Sequence, residues 1–417
     1  ITVKVIPELH YDLWRPALGK DLAGAVLEAV KAVWNRADVI VVHNPLIRKN
    51  SVLLSALKEL GKSECLLLQN HDLAEDFRPD VYANEEYPEN CHYAAINSRD
   101  YAFLLASGLK QEGLHLIPNE VSPVAADPGL ERRRYLYPVR GIRRKNLGEI
   151  LLLSLFIPEG RTIAVTQPPT TGRDMDIYRR WKELALELEL PVEFEAGTGN
   201  SFSRVLGSAA AVVTTSIKEG FGFSFLEPWT AGLAVAGRRI GYVCRDFEEA
   251  GLRFDAFYDS VSLPLYEVTR DYPEKFQDRL EQAIRGLYAA FGREIPDTID
   301  EMIKERAFAS SLPDFGAMDE TMQEDFIRHA AADRGLRGAA GEINPFLGGL
   351  SEWVPDPSVI EANREAVLSS YSRERIAKIL RESCRAAAAP VVQSISRSRL
   401  LELFLDPSRI SLIGIAK

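Results

Sequence analysis

Apolar positions along this chain come in short runs set between amphipathic stretches. Val39 to Val42 and Cys65 to Leu68 read as buried strands, since short apolar runs bounded by turn residues fit one. Thr2 to Ile6 is a further strand candidate, and Leu114 to Ile117 another. Helical periodicity predicts helices over Leu22 to Trp34, Ser51 to Leu60 and Asp100 to Ser107, the last stopped by Gly108. Pro118 to Pro128, with three prolines, reads as a linker. A second series follows: strands at Tyr135–Val139, Thr162–Thr166, Val192–Phe194 and Ala209–Thr214, with helices at Ile150 to Phe156 and Tyr178 to Leu188. Strands alternating with helices predict an α/β, doubly wound architecture. Beyond residue 300 the pattern predicts helices at Asp300–Phe308, Glu320–Ala332, Val359–Tyr371 and Arg373–Ala389, and a glycine-rich loop over Arg334–Gly349.

Length and composition narrow the class. A chain of 417 residues is too long for one compact core and predicts two domains. At 46% hydrophobic and 26% charged residues, the composition is that of an ordinary globular protein. No run reaches the 18 or so apolar residues of a membrane span, and no signal peptide opens the chain. Cys65, Cys91, Cys244 and Cys384 lack zinc or CxxC spacing and suit a reducing cytoplasm. The net charge of −10 argues against general nucleic-acid binding. Residues 373 to 417 hold nine Lys or Arg against four acids; no strong apolar stripe accompanies them, so a solvated face is the reading rather than a membrane surface.

Two segments carry chemistry. The first is Glu219-Gly220-Phe221-Gly222-Phe223-Ser224-Phe225-Leu226-Glu227, directly after the apolar strand Ala209 to Val213. The second glutamate is expected about two turns into a helix running through Trp229 and Ala231. Gly220 and Gly222 let backbone approach a ligand, and a helix start offers N–H groups to an anion. Carboxylates on both sides of such a turn can take hydroxyls, which suits a phosphorylated sugar or nucleotide. A helix cap and a solvated face are the plainer alternative. The second segment is basic against the trend of the chain: Arg132, Arg133, Arg134, Arg140, Arg143, Arg144 and Lys145 accompany one acid, Glu131. Arg140 and Lys145 follow the strand Tyr135–Val139, and open α/β sheets bind ligands at strand C-termini. Arg suits bidentate phosphate contact and Lys acts as a point charge, while Arg132 to Arg134 read as linker.

Arg140 and Lys145 five residues apart, then Glu219 and Glu227 around Gly-Phe-Gly, resemble the retaining GT-B glycosyltransferases of family 4. Ile117-Pro118-Asn119, Ala95-Ile96-Asn97-Ser98-Arg99 and Gln69-Asn70-His71-Asp72 fall in that family's order, and the likeness covers about residues 36 to 250. The resemblance implies two Rossmann-like domains facing across a cleft, residues 1–133 and 134–355, with a helical insertion at about 295–350. Helices in 356–417 would cross back to the first domain. It implies transfer of a hexose from a nucleotide-diphosphate sugar to a small polar acceptor with retention of configuration. Arg140, Lys145 and the amides of Gly220 to Gly222 would stabilise the leaving diphosphate, with Phe221 and Phe223 in the same turn. Glu219 would hold sugar hydroxyls and Glu227 the ribose. His71 would act near the sugar and the acceptor, with His43, Asn44, Asp72 and Arg78 on the acceptor side. The resemblance requires neither metal nor cofactor, and UDP, GDP and ADP are not distinguished.

One departure stands out. Family members begin with a strand and a Gly-rich loop, whereas this sequence starts at Ile1 in what looks like the second strand. A GT-B sugar-nucleotide epimerase and a non-catalytic nucleotide-sugar binder are the alternatives. The six histidines have no helical or zinc spacing, so a metal site is not expected.

Overall fold

A computed structural model describes residues 9–11, 22–34, 37–83, 85–264, 272–309, 312–349 and 353–415. The expected strand at Thr2 to Ile6 lies outside the described residues. The chain forms two compact units: Ile1–Glu120 with Leu287–Glu294 and Arg373–Arg409, and Val121–Gly286 with Ile295–Ser372 and Ile410–Lys417. The division thus falls at Glu120 within the proline-rich segment rather than at residue 133. The helix Pro357–Ser370 belongs to the second unit rather than the first, whereas Arg373–Arg409 belongs to the first. The fold is α/β with two parallel sheets.

The first unit holds a four-stranded parallel sheet of β1 (Ile40–His43), β2 (Leu66–Asn70), β3 (His92–Ala95) and β4 (Leu114–Leu116), in chain order. Among the described residues this sheet shows no reversal of strand order. β2 is buried throughout because neighbours pair on both sides, and each of its three leucines contributes roughly 1.5–3 kcal/mol by burial. β1 is only half-buried, correcting the expectation of a buried strand. The helix Ser98–Ala106 starts where Asn97 accepts from the Asp100 amide at 2.8 Å, and its Phe103 meets Phe404 edge-on at 4.8 Å.

The second unit holds six parallel strands: β5 (Arg134–Arg140), β6 (Thr162–Gln167), β7 (Val192–Glu193), β8 (Ala209–Thr214), β9 (Val235–Arg238) and β10 (Phe257–Tyr258). Their order is β10-β9-β8-β5-β6-β7. The chain winds outward from β5 through β6 and β7, then returns to lay β8 beside β5 and continue the other way. This is the doubly wound order, and its reversal falls between β5 and β8. Gly237 in β9 has φ +138°, and a Cβ there would come within 1.9 Å of the Thr214 carbonyl oxygen. Only glycine permits that close approach of β9 to β8.

Two expectations fail locally. Arg334–Gly349 is not a loop but two helices, Arg334–Ile343 and Pro345–Gly349. Asp333 caps the first by accepting from the Gly335 and Leu336 amides, and Leu336, Ala340 and Leu347 are buried, so capping and burial outweigh glycine's weak helix propensity. Glu227 also does not sit two turns into a helix. A 3-10 turn spans Phe223–Phe225, and Glu227 opens the one-turn helix Glu227–Thr230, because Pro228 favours a helix start and lacks the N–H a helix interior needs.

Candidate functional site

The turn after β5 is held from beneath. The buried Tyr137 hydroxyl donates to the Lys145 carbonyl at 2.8 Å, and Thr215, just past β8, donates to the Lys145 and Asn146 carbonyls at 3.0 and 3.1 Å. Asn146 takes the left-handed conformation (φ 52°), its amide donating to Glu149 and its oxygen accepting from Gln323. The Ile217 amide donates to the Arg144 carbonyl at 3.1 Å. Segments that follow β5 and β8 are therefore fastened together at the reversal of strand order, where doubly wound sheets bind ligands.

There the structure joins residues that the sequence treats separately. Lys145 and Arg144 both donate to the Glu219 carboxylate, Lys145 to Oε1 and Arg144 to Oε2 at 2.7 Å. Lys145 and Glu219 are buried, 9% and 6% exposed, so this is an ion pair largely out of water. Burial alone would raise the Glu219 carboxyl, but the charges of Lys145 and Arg144 overcome it and hold the group down at about 2. Burial pulls the Lys145 amine down, and Glu219 opposes this. Tyr242 fixes the backbone of Glu219, donating to its carbonyl and accepting from its amide.

The remaining basic residues of the turn divide. Arg143 is committed to Glu320, with one bond at 2.9 Å, and to the Ile415 carbonyl, which makes it a structural clamp. Arg140, at the end of β5, is exposed, and its side chain meets Gln167 at 3.3 Å and no other partner among the described residues. Arg133 pairs with Glu131, and Arg134 is drawn into β5 beside Glu193 at 2.9 Å.

Past Glu219 and Gly220 the chain turns at Gly222, whose φ of +99° favours glycine. Phe221 points inward against Phe247 and Tyr371, each at 5.7 Å, while Phe223 is exposed. Glu227 is half-buried, and its carboxylate has no hydrogen bond or ion pair among the described residues. Burial without compensation raises its pKa. Lys145 and Glu219 thus form one cluster, Phe223 and Glu227 border the same turn, and Phe221 belongs to the core.

The first unit carries the other predicted residues. His43 ends β1 and His71 follows β2, and their ring nitrogens lie 2.9 Å apart. One must donate and one accept, so the pair cannot be doubly protonated without losing that bond. Burial lowers the His71 pKa and the neighbouring His43 lowers it further, against the opposing pull of Asp72 and Asn119. Asn44, left-handed at φ 53°, accepts from the His71 and Asp72 amides at 2.8 and 3.2 Å and so fixes the loop. Asp72 pairs with Arg78 at 3.3 Å, whereas Asp76 is taken up by Arg99.

Sequence reasoning missed two clusters. Arg238 is buried between Glu149 and Asp314, with Tyr258 donating to Glu149 at 2.7 Å. No local pattern announces it, since the partners lie far apart in the chain. His92 and His115 share a ring-nitrogen contact of 2.9 Å, and burial takes His115 down to about 4. The two lie on the neighbouring parallel strands β3 and β4, a pairing that reading each residue singly does not show. Among the described residues no group of three or more His, Cys, Asp or Glu could hold a metal ion.

No family model matches the chain. It is 24% identical over 315 residues to the mannosylglucosyl-3-phosphoglycerate synthase of Petrotoga mobilis, covering 66% of this chain and 61% of that protein. The chain therefore spans about three fifths of the length of the curated relative it matches. Among solved structures it is similar to sucrose-phosphate synthase from Thermosynechococcus elongatus, with TM-score 0.49, 14% identity, and 88% and 78% of the two chains covered. A glycosyltransferase from Rickettsia africae gives TM-score 0.47 at 14% identity, covering 87% and 80%. The apo lipopolysaccharide outer core galactosyltransferase WaaB gives 0.45 at 14%, covering 87% and 79%. The α/β assignment rests on the strand order itself.

Proposed function

We propose that this chain is a GT-B glycosyltransferase of the retaining, family 4 kind, moving a hexose from a nucleotide-diphosphate sugar to a small polar acceptor. The observation that carries the reading is the Arg144–Lys145–Glu219 cluster at the strand reversal between β5 and β8, with the exposed Arg140 and the Gly222 turn beside it. The curated relative, named as a mannosylglucosyl-3-phosphoglycerate synthase, supports the same class.

In this reading the leaving diphosphate takes its charge stabilisation from Arg140, Lys145 and the backbone of Gly220–Gly222. Glu219, kept ionised by its two cations, accepts hydroxyls of the transferred sugar with the oxygen lone pairs that Lys145 and Arg144 leave open. Glu227, uncommitted to any protein partner, takes the ribose hydroxyls. The acceptor would attack from the leaving-group face, with a donor phosphate oxygen receiving its proton. His71, kept neutral at physiological pH, would contact the sugar and acceptor as a hydrogen-bond partner rather than a charge. No helix among the described residues is long and apolar enough to cross a membrane.

Incubation with UDP-, GDP- and ADP-hexoses and a panel of small hydroxylated acceptors tests this. Release of nucleoside diphosphate that depends on acceptor, with the anomeric configuration kept in the product, is the expected result. Tight nucleotide binding with no release under any acceptor would replace the transferase by a nucleotide-sugar binder.

A further inference from the structure

The first unit contains a second polar site. Arg397 is 6% exposed and its guanidinium lies over the rings of Tyr82 and Tyr87, at 4.4 and 4.8 Å from their centroids. One terminal nitrogen donates to the Ala83 carbonyl, yet Nε has no partner among the described residues. Among the described residues no carboxylate lies within ion-pair distance of it. Glu75 is fully buried and accepts from the Tyr87 hydroxyl through Oε1 at 2.6 Å; burial raises its pKa more than that bond and the charge of Arg397 lower it. A buried cation without a counter-ion is costly.

Arg397 lines a cavity of about 390 Å³ together with Tyr82, Glu86, Arg293, Ser396 and Ser398, a volume in the range of small-molecule sites. The Tyr82 hydroxyl, also buried, has no partner among the described residues either. Arg293 is exposed and makes no ion pair among the described residues. Arg397 and Ser398 open the helix Arg397–Phe404, which Ser396 caps, so the positive end of a helix faces the same space. Two buried donors and an arginine, each without a partner of this kind among the described residues, converge here with a helix start.

We propose that this cavity binds a small phosphate-bearing anion, either free phosphate or a phosphomonoester. Arg397 and Arg293 neutralise the dianion, Tyr82 and Ser398 donate to its oxygens, and Glu86 in the wall accepts a hydroxyl of an organic substituent. Tyr82 and Tyr87 belong to the loop that begins at His71 and Asp72, so occupancy would brace that loop through Arg397.

Calorimetric titration of the full chain with inorganic phosphate and with glycerol 2-phosphate, against chloride at matched ionic strength, tests the site. Saturable binding is expected, weakened about tenfold or more by Arg293→Ala combined with Ser398→Ala, which alter only exposed side chains. Arg140→Ala should leave that binding in place, which separates this cavity from the nucleotide site. Tighter binding of the ester assigns the ligand to a phosphorylated metabolite, and tighter binding of phosphate assigns it to the free ion; the site stands in both. Heats no larger than the chloride control, or binding unchanged by the double variant, would overturn the proposal.

Discussion

Two buried ion clusters of the second unit, at Arg238 and at Glu219, differ in what they leave open. Arg238 is closed: its Nε and both terminal nitrogens donate to Glu149, Asp314 and the Asp259 carbonyl, within a wall so tight that a Cβ on Gly316 would come within 2.5 Å of the guanidinium carbon. Nothing remains for a ligand, and the cluster ties β9 to the helix Leu147–Ser154 and the segment at Asp314. The cluster at Glu219 is open. Its carboxylate accepts one bond per oxygen among the described residues, in a turn rich in cations, and Arg140 at the end of β5 is exposed. Buried charge that is fully satisfied belongs to the fold; buried charge with unused capacity at a strand reversal belongs to a site.

That contrast predicts opposite phenotypes. The largest effect should come from Arg238→Met, which strands two carboxylates: about 3–5 kcal/mol lost in denaturant unfolding, with nucleotide affinity of the remaining folded protein unchanged. A stable Arg238→Met variant would show that the closed cluster is not the structural one. Next comes the acid limb. Glu219 titrates lower in the folded chain than its usual 4.5, so its contribution is complete above about 4.5 and is lost as pH falls toward about 2. Lys145→Met removes one cation, raises that pKa and should move the loss to higher pH. Coincident acid-unfolding curves for the two proteins would contradict the pairing. Arg140→Ala should be the smallest, weakening nucleoside diphosphate binding by roughly 1.5–3 kcal/mol without altering unfolding, and calorimetry at matched stability checks both halves.

The legible parts of the molecule are those with local signals. β5, β6 and β8 are apolar runs between turn residues, and the structure places them within a residue or two of the ranges that pattern predicts. Arg140, Lys145, Glu219 and Glu227 stand out because charge beside glycine at a strand end is unusual. What the sequence hid is how they combine. Lys145 and Glu219 meet only because Thr215 and Tyr137 seat one turn upon the other, a contact between residues far apart in the chain. Arg238 was invisible for the same reason. The helices Arg334–Ile343 and Pro345–Gly349 were obscured by their glycines, although Asp333 ahead of Leu336 and Ala340 was a usable cap-and-stripe signal. β9 ends in Gly237-Arg238, which reads as a turn until the approach to Thr214 explains the glycine.

The central claim is that the open cluster at the β5–β8 reversal binds a nucleotide diphosphate. Titration of this chain with UDP, GDP and ADP, without added metal, and of its Lys145→Ala variant, tests it most directly. The account predicts micromolar binding of one nucleotide, abolished in the variant. Binding of none of them, or equal affinity in the variant, would contradict it.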